Sequence, residues 1–136
     1  MRPQSAKAKG RKLQQYVRDL IRKQFKYWLE EDDVKSTSMG AQGEDVQLSP
    51  KARAVLPIAI ECKSRRRIAV YRDYEQATEH AGETNREPVV VIKENGKDPL
   101  AIIDLQYFLD LVADAYEHKQ CYLKQQKELT DEARAS

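Results

Sequence analysis

Residues 58–63 read Ile-Ala-Ile-Glu-Cys-Lys, an apolar run that ends in a carboxylate and an ammonium with one cysteine between them. Pro57 precedes the run, and Ser64 followed by Arg65, Arg66 and Arg67 closes it. A short stretch of Ile and Ala bounded in this way reads as a central strand buried on both faces. Side chains in a strand alternate between faces, so Glu61 and Lys63 point one way while Ile60 and Cys62 point the other. The pattern admits two readings, an ion pair at a strand end or a pair of groups placed for chemistry. The rest of the chain has to choose between them.

Upstream, Leu13, Tyr16, Val17, Leu20, Ile21, Phe25 and Trp28 recur at helical spacing, which predicts an amphipathic helix over about 11–29. The segment 34–50 mixes β-branched residues with Gly40 and Gly43 and reads as a short strand, a turn and a second strand over about 45–48. Residues 49–57 read as a turn into the 58–63 strand. Downstream, 71–83 reads as a helix ending near Gly82. Residues 87–104 read as two strands joined at Asn95-Gly96, a dipeptide that favours a type I′ hairpin. Asp104 is a good N-cap for a last helix whose inner face would be Leu105, Phe108, Leu109, Val112, Ala115 and Tyr116. The expected order is helix, three strands, helix, two strands, helix. That order predicts an α/β (α+β) fold, a central mixed five-stranded sheet flanked by helices. The organisation expected is a basic arm over 1–12, one folded domain over 13–123 and a polar tail over 124–136 that frays.

Composition narrows the function classes. At 136 residues, 40% hydrophobic and 34% charged, the chain suits one soluble domain. No apolar stretch approaches the roughly 20 residues of a membrane span, and 1–12 lacks the apolar segment of a signal peptide, so no membrane partner and a cytoplasmic location are expected. Cys62 and Cys121 are far apart and suggest neither a disulfide scaffold nor a zinc site. The net charge of +2 hides an uneven distribution: residues 1–28 hold nine bases against Asp19, and 51–72 hold seven against Glu61, whereas 103–136 carry seven acids and four bases. One basic cluster is ordinarily a solvated face. Two clusters flanking one candidate site point to a polyanion such as nucleic acid.

The acid-x-Lys pattern occurs three times, at 33–35, 61–63 and 117–119. Glu117 and Lys119 belong to the last helix, where side chains two apart do not share a face. Asp33 and Lys35 have no acid on a preceding strand. Only Glu61 and Lys63 close an apolar strand with a second acid, Asp45, sixteen residues upstream at the start of another. Two carboxylates converging from adjacent strands suit a hard divalent cation, and a lysine beside it suits the activation of water.

Asp45 and Glu61-Cys62-Lys63, set in this order of elements, resemble the PD-(D/E)XK nuclease superfamily. More narrowly, the chain is similar to the archaeal and phage Holliday junction resolvases over roughly 10–112, through KGRKLQQYVRDLI, GEDV, IECKSR, YRDYEQA, PVVVIK and IIDLQYFLDLV. The resemblance implies a restriction-endonuclease-like sheet and a Mg²⁺-dependent endodeoxyribonuclease, with Mn²⁺ as substitute, that resolves four-way or related branched DNA by paired phosphodiester hydrolysis in recombination and repair. It implies Asp45, Glu61 and the Cys62 carbonyl as metal ligands, Lys63 as the catalytic lysine, and Gln76 as a glutamine near the site. The resolvases usually add an acid from the first helix. This sequence departs there, with Gln14 in that place, bringing an oxygen but no charge. The resemblance also implies a homodimer, because a junction needs two opposed cuts, and a stand-alone resolvase suits a phage or an archaeon. Lys7, Lys9, Arg11, Lys12, Arg65, Arg66 and Arg67 are the candidate phosphate contacts. The alternatives are a general recombination, repair or restriction-type nuclease of the same fold, or a DNA-binding module without activity. His80 and His118 stand without partners at ligand spacing, Tyr107 and Phe108 read as core, Tyr71 and Tyr74 as packing residues, and Gly96-Lys97 as hairpin chemistry rather than a phosphate loop.

Overall fold

The 58–63 run lies in β3 (Ile58–Arg65), the middle strand of a five-stranded sheet. The structure is a computed structural model that describes residues 3–37, 44–82 and 84–135. The elements are α1 (Pro3–Gln24), a 3₁₀ turn (Glu31–Asp33), β1 (Val34–Ser36), β2 (Val46–Leu48), α2 (Pro50–Val55), β3, α3 (Val70–Ala81), β4 (Glu87–Glu94), β5 (Leu100–Ile102) and α4 (Leu105–Ala135). The chain divides into two units, Met1–Ile102 and Ile103–Ser136.

In the first unit the strands stand in the order β1-β2-β3-β4-β5, with only β3 and β4 parallel. A parallel pair needs a crossover, and α3 supplies it. The expected mixed sheet with helices is therefore present. Alternation along β3 sorts its two faces. Ile60 and Cys62 join Leu13 and Val17 of α1 in one core with Val34, Val46 and Leu48. Ala59, Glu61, Lys63 and Arg65 take the other face, where Glu61 and Arg65 meet His80 and Asp73 of α3. In-register pairing of β3 with β4 extends the sorting: Cys62 is beside Val91 and Ser64 beside Lys93 on the α1 face, with Lys63 beside Ile92 on the α3 face. α3 buries Ala77 and Ala81, small residues that let the helix lie close to the strands.

Several local expectations change. α1 begins at Pro3, so most of the expected basic arm is its first turns, and it ends at Gln24 rather than near Leu29. Ser49-Pro50 begins a helix and not a simple turn: the Ser49 hydroxyl accepts from the Ala52 amide at 3.1 Å and Pro50 takes the first helical position. At Asn95-Gly96 only Gly96 has a positive φ (73°), and the Lys97 amide donates to the Glu94 carbonyl at 3.1 Å. That combination is a type II turn in a five-residue loop, since type I′ would need both residues left-handed. Gly40 and Gly43 lie outside the described residues.

α4 runs 31 residues without a break through the stretch expected to fray. Asp104 caps it as expected, its carboxylate accepting from the Tyr107 amide at 3.0 Å. The expected inner face is not buried: Leu105, Phe108, Leu109, Val112 and Tyr116 are all exposed, and no described residue of α4 is buried. A helix that is alone in its unit has no second surface on which to bury a stripe. Tyr107 is half-buried and Phe108 exposed, so that pair is not core. No helix among the described residues is long and apolar enough to cross a membrane.

Candidate metal-binding carboxylate site

β2 and β3 share one ladder position, Val46 opposite Ile60, and then part. Continued pairing would aim the Cys62 amide at the Glu44 carbonyl. Instead the Cys62 amide donates to Asp45 Oδ2 at 2.6 Å, and the Glu44 carbonyl accepts from the Thr37 hydroxyl. The Asp45 carboxylate thus fills the opening between the strands. On its other side, the Asp45 carbonyl accepts from the Thr37 amide at 2.9 Å, which extends the β1–β2 ladder by one step. Asp45 is held by backbone on both flanks.

Glu61 leaves β3 on the α3 face, where its Oε1 is 2.7 Å from Nδ1 of His80. Its side chain is mostly buried, whereas that of His80 is largely exposed. Lys63, half-buried, follows on the same face. These groups act on one another through their charge. Burial and the neighbouring Glu61 carboxylate push the Asp45 carboxyl above the usual range, against the pull of the Cys62 amide, Lys63 and His80. Burial, with Asp45 and Glu61 beside it, pushes the Cys62 thiol far up, so Cys62 is no thiolate nucleophile. Asp45 Oδ2 is committed to an N–H and Glu61 Oε1 to an imidazole, so Asp45 Oδ1 and Glu61 Oε2 are the oxygens that could take a cation. Mg²⁺ takes one or two carboxylates and keeps its waters, and these two oxygens are of the kind it takes. Among the described residues no group of three or more His, Cys, Asp or Glu side chains is placed to hold a metal ion.

The remaining expected residues are spread around this pair. Gln14 is buried on the sheet-facing side of α1 beside Leu13 and Val17, and its Oε1 has no hydrogen-bond partner among the described residues. An oxygen in that state suits a water or an ion. Gln76 is exposed, one turn before His80 on α3. Arg65 pairs with the buried Asp73 at 3.2 Å, so part of its charge is spent inside the protein, while Arg66 and Arg67 are exposed. Lys7, Arg11 and Lys12 are exposed along α1, and Lys9 Nζ donates to Asn95 Oδ1 at 2.7 Å. Tyr71 is 84% exposed and is not a packing residue. His118 Nδ1 lies 2.8 Å from the Asp114 carbonyl of its own helix.

Two residues that pattern reading passed over complete the site. His80 looked isolated because its partner lies 19 residues away, on another element. Arg86 is 7% exposed at its side chain and grips Glu44, 42 residues away, with both forks of its guanidinium: Nη1 donates to Oε2 at 3.0 Å and Nη2 to Oε1. Nη1 also donates to the Ile58 carbonyl at 3.1 Å, so one side chain ties the residue before Asp45 to the start of β3. A lone Arg after a turn offers no sequence signal of that role. Comparison of the chain with models of known protein families, with curated proteins and with solved structures gives no significant match.

Proposed function

We propose that this protein is a metal-dependent endonuclease of the PD-(D/E)XK kind acting on branched DNA, with Holliday junctions as the leading substrate. The observation that supports it most directly is the Asp45 carboxylate bound to the Cys62 amide, at the point where β2 and β3 part and beside Glu61. A β-sheet normally closes such a gap with its own ladder. Here it is held open by an acid whose charge is disfavoured by burial and by a second acid, an arrangement that a divalent cation relieves.

In this reading Asp45, Glu61 and the Cys62 carbonyl hold Mg²⁺ or Mn²⁺, which as a Lewis acid stabilises negative charge on the phosphoryl group. Lys63, on the same face as Glu61, orients the attacking water through Nζ and offsets charge on the phosphate. Water oxygen bonds to phosphorus as the water gives a proton to solvent, the bond from phosphorus to the departing deoxyribose oxygen breaks, and solvent returns a proton to that oxygen. His80 fixes the Glu61 carboxylate, and Arg86 fixes Glu44 and with it Asp45. Preorganised charge of this kind supplies most of the stabilisation in phosphodiester cleavage. Arg66, Arg67, Lys7, Arg11 and Lys12 are exposed and take phosphates without reading bases. Two copies of the chain supply the paired cuts.

Cleavage of a labelled four-way junction beside its linear duplex, with Mg²⁺ or EDTA and with Glu61→Gln, tests the proposal. Paired nicks confined to the junction and lost with EDTA and in the variant are the expected result. Equal cutting of both DNAs would leave a general nuclease. The uncharged Gln14 on α1 favours a second reading, a DNA-binding module without activity, and tight junction binding with no cut under Mg²⁺ or Mn²⁺ would establish that one.

A further inference from the structure

On the opposite face of the sheet from Glu61 and Lys63 lies a cavity of about 690 Å³, between α1 and the loop after β4. Its position follows from strand parity. Ser64, the residue after Lys63, turns to the α1 face and lines the cavity beside its in-register partner Lys93. α1 contributes Lys9, Lys12 and Tyr16 from successive turns of one face. The loop contributes Asp98, and Lys9 ties that loop to the helix through Asn95. Three ammonium groups against one carboxylate leave the cavity positive, and Tyr16, 51% exposed, lays an aromatic ring in its wall.

Lys9 has a structural tie to Asn95, but Lys12 and Lys93 have little reason to be there for folding. Lys93 follows Val89 and Val91 on the same face of β4, where the core would accept another apolar side chain, and among the described residues its Nζ reaches only the neighbouring Glu94 carbonyl, at 3.5 Å. Lys12 is exposed and makes no ion pair among the described residues. Like charges gathered around a concavity repel one another, and an anion relieves the repulsion. A ring beside ammonium groups suits a planar base next to its own phosphate, the combination that single-strand binding proteins use. The volume falls within the range of small-molecule sites and admits one nucleotide with water around it.

We infer that the cavity between α1 and the β4–β5 loop binds one phosphorylated nucleoside unit of a single DNA strand, with its phosphate on Lys12 and Lys93 and its base against Tyr16. The inference rests on the DNA reading above and deepens it: the strand would be gripped on one face of β3 while the carboxylate pair acts on the other. It would favour branched DNA that carries an unpaired strand, such as a flap or a fork, or a junction whose arms part at the crossover, over a continuous duplex, which exposes no unpaired nucleotide. The shared chemistry is a nucleoside phosphate, whether free or in a strand.

Fluorescence anisotropy of labelled hexathymidylate, in EDTA and on the full-length Glu61→Gln chain, separates this site from cleavage. Competitors are dTMP and inorganic phosphate. Replacing Lys9, Lys12 and Lys93 together with Ala should weaken binding at least tenfold and flatten the log–log salt slope by about 0.7, the share of the one single-strand phosphate that is no longer neutralised. Tyr16→Ala should weaken it by roughly 5- to 100-fold, with Tyr16→Phe near the parent, as stacking requires. Thermal melting of each variant checks that it folds. Displacement by dTMP well below the phosphate concentration needed would support the inference. Equal displacement by both, parent-like affinity in the folded variants, or no hexathymidylate binding by the parent would each overturn it. Junction cleavage with unaltered variants would sink this site alone, whereas binding through the cavity with no cleavage by the wild-type chain would sink the nuclease proposal alone.

Discussion

Arg86→Ala tests whether the carboxylate site is built by long-range tertiary contacts. The Arg86 and Glu44 side chains are 7% and 18% exposed and joined by two hydrogen bonds, with a third from Arg86 to the Ile58 carbonyl. Burial holds the guanidinium below its ordinary range, yet an arginine stays charged at any working pH. Removing it strands a carboxylate that water reaches only in part. Breaking a buried pair from one side costs about 3–5 kcal/mol, and the access left to Glu44 favours the lower end, about 3 kcal/mol. For a chain of this size each kcal/mol is worth roughly 3–5 °C, so the melt should fall by roughly 10–15 °C. Arg86→Lys keeps the charge but loses the fork, and should lose about half as much. In a double-mutant cycle with Glu44→Gln, the double variant should be more stable than the sum of the single losses requires, because no unpaired charge remains. Urea denaturation gives these energies. Junction cleavage, measured well below the lowered melt, should also fall, since Glu44 precedes Asp45. A loss under about 1 kcal/mol, or an additive cycle, would refute the reasoning.

Three further outcomes follow from the same geometry. Asp45 has a carboxyl pKa raised by burial and by Glu61, so its ionisation disfavours the folded state progressively as pH rises through the carboxylate range; Asp45→Asn should gain in melting temperature over wild type between pH 4 and 7, and Mg²⁺ should raise the wild-type melt only. Calorimetry at several pH values checks this, and a difference that shrinks with pH would contradict it. Lys63→Ala should lower the cleavage rate by roughly 10²–10⁴-fold while calorimetric Mn²⁺ binding persists, because the proposed mechanism gives Lys63 to the water and not to the ion. Ser49→Ala should cost about 1 kcal/mol in urea, because the hydroxyl caps α2 and also donates to Asp33 Oδ1 at 2.7 Å.

The parts of this protein legible from its amino acids are those governed by neighbours in the chain. Alternation puts Glu61 and Lys63 on one face of β3 in any fold that makes 58–65 a strand, because the pleat repeats every two residues. Asp104 capping α4 is likewise local chemistry. Ser49-Pro50 carried an equally local signal for α2, and the loop-like composition around it hid that helix. The type of turn at Gly96 was less legible, since the five-residue loop, rather than the Asn-Gly dipeptide, sets which φ must be positive.

The site itself depends on contacts between residues far apart in sequence. The 2.6 Å bond between the Cys62 amide and Asp45 exists because β2 and β3 part after one pair. Arg86 reaches Glu44 and His80 reaches Glu61 because α3 carries the chain across the sheet to β4. Lys93 joins Lys9 and Lys12 because in-register pairing sets Lys93 beside Ser64, under α1. α4 shows the same division from the other side. Its apolar spacing was readable, but burial needs a second surface, and its own unit holds none. Periodicity states which side chains share a face; only the packing of one element on another decides what that face meets.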